Sequence, residues 1–185
     1  MARCYSVRVS KCYPSVPRLW LISDARNDGA LEAALRRLPR GSGLVFRHYH
    51  LPEPERWARF RQLQRLARLR GHSVVLAGTM REARAWRADG AYGSARMLGK
   101  GLAGLRLATV HSLRELRRVA RADAALLSPV FATRSHPGAG ALGPLRFLFM
   151  AQNSRIPALA LGGMTPRRAA RMPLHGWAAI DGLSP

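Results

Sequence analysis

SVVLAGTMREARAWRADGAYGS, residues 73–94, contains one complete strand–helix unit and the start of the next. The apolar run Ser73–Gly78 has the length of a strand, and Thr79 with Glu82 forms a capping box, which begins a helix by satisfying its free backbone N–H groups. A weaker strand follows at Ala91–Ser94. A strand, a helix and a second strand in this order predict a βα unit of a parallel sheet.

The same alternation continues on both sides of this unit. Further runs of strand character lie at Leu19–Asp24, Gly43–Tyr49, Leu105–Val110, Ala124–Val130, Ile156–Leu161 and Trp177–Ile180. Helical patterns separate them, and a second capping box, Ser112 with Glu115, begins the helix after the fifth strand. Eight alternating strands predict an α/β fold, a closed (β/α)₈ or TIM barrel. An open doubly wound sheet is the alternative, because the fourth strand is weak.

The chain has 185 residues, which is short for a barrel that typically needs roughly 200 to 250. Only Asp181 and residues 182–185 follow strand eight as predicted. We therefore expect one barrel domain over residues 19–185 that lacks the eighth helix, preceded by a leader, residues 1–18, that is poorly ordered or packs on the barrel. The missing helix should expose apolar surface on the outer wall, which suggests a partner subunit, as in a homo-oligomer, or a truncated chain.

The composition narrows the classes of partner. The net charge is +21, but lysine occurs only at Lys11 and Lys100, so nearly all of the 31 cations are arginines. Because they are spread over the polar faces of predicted helices, without interleaved aromatic residues, we expect no specific nucleic-acid partner, only weak binding to polyanions. No apolar run reaches the length of a membrane span or a signal-peptide core, which predicts a cytoplasmic protein without membrane contact.

Two segments at predicted strand ends could bind anions. Gly162 and Gly163 follow the seventh strand and precede a helix capped by Thr165, where phosphate often binds in barrels; a tight turn is the alternative. The loop at 128–143 is long and rich in glycine, proline and hydroxyl groups, as lids and binding loops often are; a solvated excursion is the alternative. Four of its residues could together hold a pyrophosphate: Thr133, Arg134, Ser135 and His136.

An arginine and two aspartates complete the candidate site. Arg47 lies near the end of the apolar second strand, where a guanidinium is costly unless it meets an anion. His48, taken alone, is interpreted as a packing or surface residue. Magnesium binds through one or two carboxylates plus phosphate oxygens, and Asp24 and Asp181 are the carboxylates that directly follow strands. We predict Asp24 as the metal ligand, because Asp181 would repel a phosphate beside it.

These motifs resemble thiamine phosphate synthases and their relatives, the thiazole tautomerases, from about residue 19 to residue 183. The matching segments are LWLISD (19–24), FRH (46–48), ATVHSLREL (108–116), LSPVFATRSHPG (127–138), ALGGMTP (160–166) and WAAIDGL (177–183), of which LSPVFATRSHPG is the most specific. The resemblance implies that a pyrimidine methyl diphosphate is joined to a thiazole phosphate with Mg²⁺. The diphosphate would leave first, and the thiazole nitrogen would attack the resulting pyrimidine cation.

The resemblance also assigns roles to individual residues. The diphosphate would be held by Arg47, Thr133 and Ser135, and His136 stands where the family has the lysine of this loop. Thr109 would lie near the pyrimidine. The thiazole phosphate would be bound by Gly162, Gly163 and Ile180, with Asp181 at the position of a family serine. We therefore predict Arg47, Ser135 and His136 as catalytic residues and the others as substrate-binding residues.

At several positions the sequence departs from the family. The Asn-Asp pair after the third strand is replaced by Ala77 and Gly78, and the aspartate after the fourth strand falls near Arg96 or Met97. The usual magnesium ligands are thus lost. The histidine of tautomerases aligns with Pro129, and His136 is its nearest substitute. Two alternatives to a divergent synthase follow: a tautomerase-like enzyme, or a non-catalytic barrel that binds a phosphorylated thiazole- or thiamine-type ligand.

Overall fold

The computed structural model describes residues 16–134, 138 and 140–183. The strands are β1 (Leu19–Ile22), β2 (Gly43–Phe46), β3 (Ser73–Ala77), β4 (Gly90–Gly93), β5 (Leu105–Val110), β6 (Ala124–Leu127), β7 (Ala158–Ala160) and β8 (Gly176–Ala179). The α-helices in this part of the chain are α1 (Leu31–Arg37), α2 (Glu53–Leu69), α3 (Met80–Ala85), α4 (Ala95–Leu98), α5 (Leu113–Arg118), α6 (Pro144–Gln152) and α7 (Pro166–Ala169).

Each strand pairs in parallel with its neighbours in sequence, and β8 pairs with β1 to close the ring. The weak fourth strand is a full member of this ring, paired with β3 and β5. The predicted TIM barrel is therefore confirmed, and the open doubly wound sheet is excluded. Closure brings the C-terminal ends of all eight strands to one rim.

Two apolar layers stabilise the barrel. The inner layer fills its interior and includes Trp20, Val75 and Leu107, whereas the outer layer lies between strands and helices and includes Phe60 and Phe147. Trp20 is fully buried near the N-terminal end of the barrel, where its Nε1 donates to the backbone oxygen of Pro17 at 2.7 Å. A Cβ atom at Gly43, on the adjacent strand, would overlap the indole ring, so glycine is required there.

The local structure differs from the sequence prediction at several element ends. β1, β2 and β6 end two or three residues before their predicted ends, because the backbone turns at the rim toward the loops. The one-turn helix α4 was not predicted; Ser94 caps it by accepting from the backbone N–H of Met97. The second capping box is half formed: Ser112 accepts from the backbone of Glu115, but the Glu115 carboxylate accepts from the backbone of His111 at 2.8 Å.

The two ends of the domain bear on the predicted boundaries. Val16 is buried against the inner layer, so the end of the predicted leader packs on the barrel; its first fifteen residues lie outside the described ones. In the described residues β8 is followed only by a 3₁₀ turn, Asp181–Leu183. The most exposed large apolar side chains described, Leu69 and Leu145, lie on α2 and α6 rather than beside β8. No described helix has both the length and the apolar character of a membrane span.

Candidate active site

A cavity of about 690 Å³ opens at the C-terminal rim of the barrel. Seven of the predicted site residues line it: Arg47, Thr109, Thr133, Gly162, Gly163, Ile180 and Asp181. Ser135 and His136 lie outside the described residues, and Asp24 is not among the lining residues. Residues from several strand ends thus meet at the rim where TIM barrels carry their active sites.

Arg47 is held at this rim through its backbone. Its N–H donates to the Ser23 hydroxyl at 2.8 Å, and one of its guanidinium nitrogens is 3.9 Å from a carboxylate oxygen of Asp24. The guanidinium carbon also lies 5.7 Å from the centre of the Tyr49 ring. With about a quarter of its side chain exposed, Arg47 borders the cavity from a fixed backbone position.

A buried hydrogen-bonded chain supports this position. His48, directly after Arg47, has a φ of 42° and is almost fully buried. Its Nδ1 lies 2.8 Å from the Ser23 hydroxyl and its Nε2 lies 2.8 Å from a carboxylate oxygen of Asp28. Asp28 in turn accepts from Nε of Arg59 at 2.8 Å. We call Ser23, His48 and Asp28 the Ser–His–Asp chain.

The protonation of this chain follows from its environment. Burial lowers the pKa of His48, although its contact with Asp28 opposes that shift. Burial raises the pKa of Asp28, but the hydrogen bonds from His48 and Arg59 outweigh it, and the net pKa is lowered. A neutral imidazole beside an ionised carboxylate must donate from Nε2. Nδ1 then accepts from the Ser23 hydroxyl, whose oxygen is left to accept the N–H of Arg47.

The glycine pair after β7 has a packing role of its own. Gly162 and Gly163 have φ of 94° and 58°, which glycine adopts without strain. A Cβ at Gly162 would lie 2.7 Å from Pro129, and one at Gly163 would lie 2.5 Å from the backbone oxygen of Ala132. The pair therefore lets the loop after β6 pack against the loop after β7. Because α7 is only four residues long, its dipole adds little to anion binding.

Cationic side chains dominate the charged lining of the cavity. Arg47, Arg134 and Arg168 line it, and Asp181 is the one carboxylate among the lining residues that the structure describes. Arg168 is oriented by a hydrogen bond to the backbone oxygen of Gly163 and by the Phe131 ring, whose centre is 4.3 Å from the guanidinium carbon. This balance suits a phosphate or diphosphate ligand.

Two further lining residues were missed by the sequence prediction. Burial raises the pKa of Tyr92 to about 12, so its hydroxyl remains protonated and can donate to a ligand. His111 follows β5 directly, and its Nδ1 lies 2.8 Å from the backbone oxygen of Ser128. Since a carbonyl only accepts, this bond places the proton on Nδ1 and leaves Nε2 as an acceptor. The position of His111 directly after a strand was a signal in the sequence; Tyr92 lay within the weak strand.

Asp24, predicted to bind magnesium, has other partners. Its carboxylate accepts from the backbone N–H of Arg26 at 3.3 Å and from Nε of Arg26 at 2.9 Å, and so caps the 3₁₀ helix Ala25–Ala30. Partial burial raises the pKa of Asp24, but these hydrogen bonds and the charge of Arg47 outweigh it and lower the pKa. Among the residues described, no three His, Cys, Asp or Glu side chains lie together as the ligands of an all-protein metal site would. The two carboxylates that follow strands, Asp24 and Asp181, both pair with Arg26, so they do not fit the predicted magnesium site.

The fold and the cavity define a TIM-barrel protein with an arginine-lined cavity at the strand ends. The sequence matches the family model of thiamine monophosphate synthase over residues 19–183. The chain belongs to this family. No curated protein sequence matches it significantly.

Solved structures agree on the fold. A thiamine phosphate pyrophosphorylase from Pyrococcus furiosus superposes with a TM-score of 0.71 at 22% identity, over 89% of this chain and 85% of that one. A thiamine phosphate pyrophosphorylase from Bacteroides thetaiotaomicron gives 0.61 at 13% identity, over 90% and 84%. An HpcH/HpaI aldolase/citrate lyase family protein from Burkholderia cenocepacia also gives 0.61, at 14% identity, over 91% and 90%. At these identities the superpositions show the barrel alone.

Proposed function

We propose that this protein is a divergent thiamine phosphate synthase-like transferase, which joins a pyrimidine methyl diphosphate to a thiazole phosphate in thiamine biosynthesis, in the cytoplasm. The observation that carries the proposal is the arginine-lined cavity at the barrel rim. Residues that the family resemblance gives to the diphosphate, Arg47 and Thr133, border the same cavity as those it gives to the thiazole phosphate, Gly162 and Gly163. Two phosphorylated substrates could therefore meet there.

The reaction requires the protein to bind the two substrates and to orient them toward each other. The bond between the pyrimidine methylene carbon and the diphosphate oxygen breaks, and the electron pair leaves with the diphosphate. The thiazole nitrogen then donates its lone pair to the methylene carbon. Arg47 and Thr133 bind the departing diphosphate, and Thr109 lies on the pyrimidine side. The pKa of Tyr92 is raised to about 12, so its hydroxyl stays protonated and donates a hydrogen bond to the bound substrate.

A second candidate function is that of a tautomerase-like enzyme, and one contact favours it. The imidazole of His111 lies against the backbone oxygen of Ser128, the residue before Pro129. Pro129 aligns with the histidine of thiazole tautomerases, so His111 brings an imidazole from the neighbouring strand to the same region. Its Nε2 is the acceptor that could move a proton on a bound thiazole phosphate. A non-catalytic barrel with the same ligand is the remaining alternative.

The first test mixes the purified protein with the pyrimidine methyl diphosphate and the thiazole phosphate, once with Mg²⁺ and once with a chelator, and measures thiamine phosphate. We expect product, and we expect Arg47→Ala to lower kcat/KM by at least about tenfold, since it removes a charge-assisted hydrogen bond to the ligand. The matched control is Arg68→Ala. Arg68 lies on α2 and contacts the backbone oxygen of Arg87 and the carboxylate of Asp89.

The alternatives give different results in the same experiment. Absence of product, with thiazole phosphate still bound in calorimetry, would exclude the synthase function. A thiazole tautomer interconverted by the parent protein but not by His111→Gln would then favour the tautomerase. Equal loss of activity in Arg47→Ala and Arg68→Ala would contradict the assignment of Arg47 to the site.

A further inference from the structure

Resting on the proposed function, we propose that guanidinium groups take the place of a divalent metal in neutralising the diphosphate in this barrel. The ligand class is a diphosphate ester or inorganic pyrophosphate, bound as the free anion. Two parts of the rim matter: the ends of β3 and β4, where the family resemblance places the metal ligands, and the arginines that border the cavity.

A cation from α2 already lies at the end of β3. Nη2 of Arg56 donates to the backbone oxygen of Ala77 at 3.1 Å, and its Nε donates to the backbone oxygen of Arg47 at 2.9 Å. Ala77 and Gly78 stand where the family resemblance expects the Asn-Asp pair. A guanidinium cannot lose its charge near neutral pH, so a divalent cation placed here would meet a permanent like charge.

Aromatic rings surround this cation. The guanidinium carbon of Arg56 lies 5.9, 5.3 and 5.1 Å from the ring centres of Phe46, Tyr49 and Trp86, respectively. Cation–π contacts stabilise a guanidinium over ring faces, and three of them together with two backbone hydrogen bonds hold Arg56 in place. The group is thus a fixed part of the rim rather than a mobile surface arginine.

A metal-binding side chain at residue 78 would disturb the start of α3. A Cβ there would lie 2.8 Å from the Oε2 atom of Glu82. The same oxygen accepts from the backbone N–H and the hydroxyl of Thr79, at 2.6 and 2.7 Å, and so begins α3; moving it would break these hydrogen bonds. An aspartate at residue 78 would displace this cap and place two carboxylates together.

The end of β4 offers no carboxylate ligand either, since residues 90–97 contain no Asp or Glu. A Cβ at Gly93 would lie 3.2 Å from the sulfur of Met97, so a thioether fills the space beside the strand end. Magnesium prefers carboxylate, carbonyl and water oxygens over soft thioethers. At the opposite side of the rim, Asp24 and Asp181 share the cation Arg26, at 2.9 and 3.5 Å. The carboxylates near the rim therefore have cationic or capping partners.

Positive charge for the ligand is present without a metal. Arg47, Arg134 and Arg168 border the cavity. A planar guanidinium donates two parallel hydrogen bonds to phosphate oxygens, which binds and neutralises the anion at once. In the proposed transfer, the electron pair of the breaking carbon–oxygen bond remains on the diphosphate, and these arginines stabilise that charge. The step needs neither a proton nor another reactant.

Calorimetry with inorganic pyrophosphate tests this directly. The intact protein is titrated once in EDTA and once in excess Mg²⁺. We expect pyrophosphate to bind in EDTA at least as tightly as in Mg²⁺, because the magnesium complex carries less negative charge toward the arginines. Binding that appears only with Mg²⁺, or that tightens more than about tenfold on its addition (about 1.4 kcal/mol), would overturn the proposal. Absence of binding in both conditions would also overturn it.

Variants separate a site from a generally basic surface. Arg134→Gln and Arg168→Gln should each weaken pyrophosphate binding in EDTA by roughly ten- to a hundredfold, the loss expected for a hydrogen bond to a charged group. The matched control, Arg114→Gln, alters an exposed residue of α5 that does not line the cavity and should change binding less than about twofold. Equal losses in all three variants would refute a specific arginine site.

Pyrophosphate binding and thiamine phosphate formation are separate measurements, so the metal-free site and the synthase function can be refuted separately. Pyrophosphate binding in EDTA without formation of thiamine phosphate would support the metal-free site and reject the synthase function. Thiamine phosphate formed only with Mg²⁺, by a protein that binds pyrophosphate only with Mg²⁺, would support the synthase function and reject the metal-free site.

Discussion

Replacing His48 by asparagine tests the Ser–His–Asp chain. Asparagine tolerates a positive φ, so the backbone of residue 48 is retained. Its shorter side chain cannot reach both partners, and the hydrogen bonds to Ser23 and Asp28 are lost. The stacking of the imidazole on Phe46, with ring centres 4.7 Å apart, is lost as well. The effect should therefore come from the ring and its contacts.

The size of the effect follows from these contacts. Two buried hydrogen bonds contribute about 1 kcal/mol each, and one stacked pair of rings about 1 kcal/mol. His48→Asn should thus lower the free energy of unfolding by about 3 kcal/mol. For a chain of this length that corresponds to a fall in Tm of roughly 6–12 °C, measured by circular dichroism at pH 8. The matched control is His50→Asn, an exposed histidine two residues away, which should shift Tm by less than about 2 °C.

The difference in the free energy of unfolding between the parent protein and His48→Asn should also depend on pH. Burial holds the pKa of His48 below its ordinary value of 6.5, so between the folded and unfolded pKa values only the unfolded chain binds a proton. Folding is then disfavoured as the pH falls. The stabilisation by His48 is fully present above about pH 6.5 and declines below it. Histidines that do not contact His48 are common to both proteins and cancel, whereas the charge of His50, whose ring centre lies 5.1 Å from that of His48, lowers the pKa of His48 further in the same direction. A difference that is below about 1 kcal/mol, or is the same at pH 8 and pH 5.5, would refute this account.

Three further changes have definite expected outcomes. Phe147→Ala empties a buried position between α6 and the barrel, and should lower the free energy of unfolding in urea by about 3–5 kcal/mol; a loss under 1 kcal/mol would show that the core can collapse around it. Gly163→Ala places an alanine at a φ of 58° and its Cβ against the backbone oxygen of Ala132. The free energy of unfolding, measured by thermal unfolding, should fall by about 2 kcal/mol, and phosphate binding should weaken. Unchanged values of both would mean that the loop adapts to the added methyl group. Asp181→Ser removes a carboxylate from the cavity and should tighten binding of thiazole phosphate by about threefold in calorimetry, as one screened charge would; equal or weaker affinity would contradict it.

The barrel could be predicted because its signal is repeated eight times along the chain. Most strands have a clear apolar run and several helices have a recognisable cap, so the weak β4 was placed by its neighbours. The ends of the strands were less predictable. Ser23 and His48 lie beyond β1 and β2, yet both are buried, because hydrogen bonds across the rim satisfy them. Burial of polar residues through contacts 25 residues apart has no local signature.

In the candidate site, too, some residues could be predicted from the sequence and others could not. Gly162, directly after the predicted seventh strand, could be assigned to the rim from its sequence position, and it lines the cavity. Thr109, within β5, was assigned by the family resemblance and lines the cavity as well. Asp24 also follows a strand, but its carboxylate accepts a hydrogen bond from Arg26. The sequence position of Asp24 did not predict this contact. Arg56 was not singled out among the arginines spread over the polar faces of the predicted helices. Its contact with the end of β3 depends on how the helix crosses the strands, which sequence periodicity does not encode.

The indole of Trp20 provides an optical readout of the barrel itself. Trp20 is fully buried near the N-terminal end, opposite the cavity, whereas Trp57 is about half exposed on α2. The other two tryptophans, Trp86 and Trp177, are partly buried. With both replaced by phenylalanine, iodide should quench the red-shifted emission of Trp57 and leave a blue-shifted component from Trp20. That component should stay constant when pyrophosphate enters the far end of the barrel, and it should shift to the red only when β1 and β2 separate. Fluorescence can thereby distinguish ligand binding from loss of barrel closure in one sample.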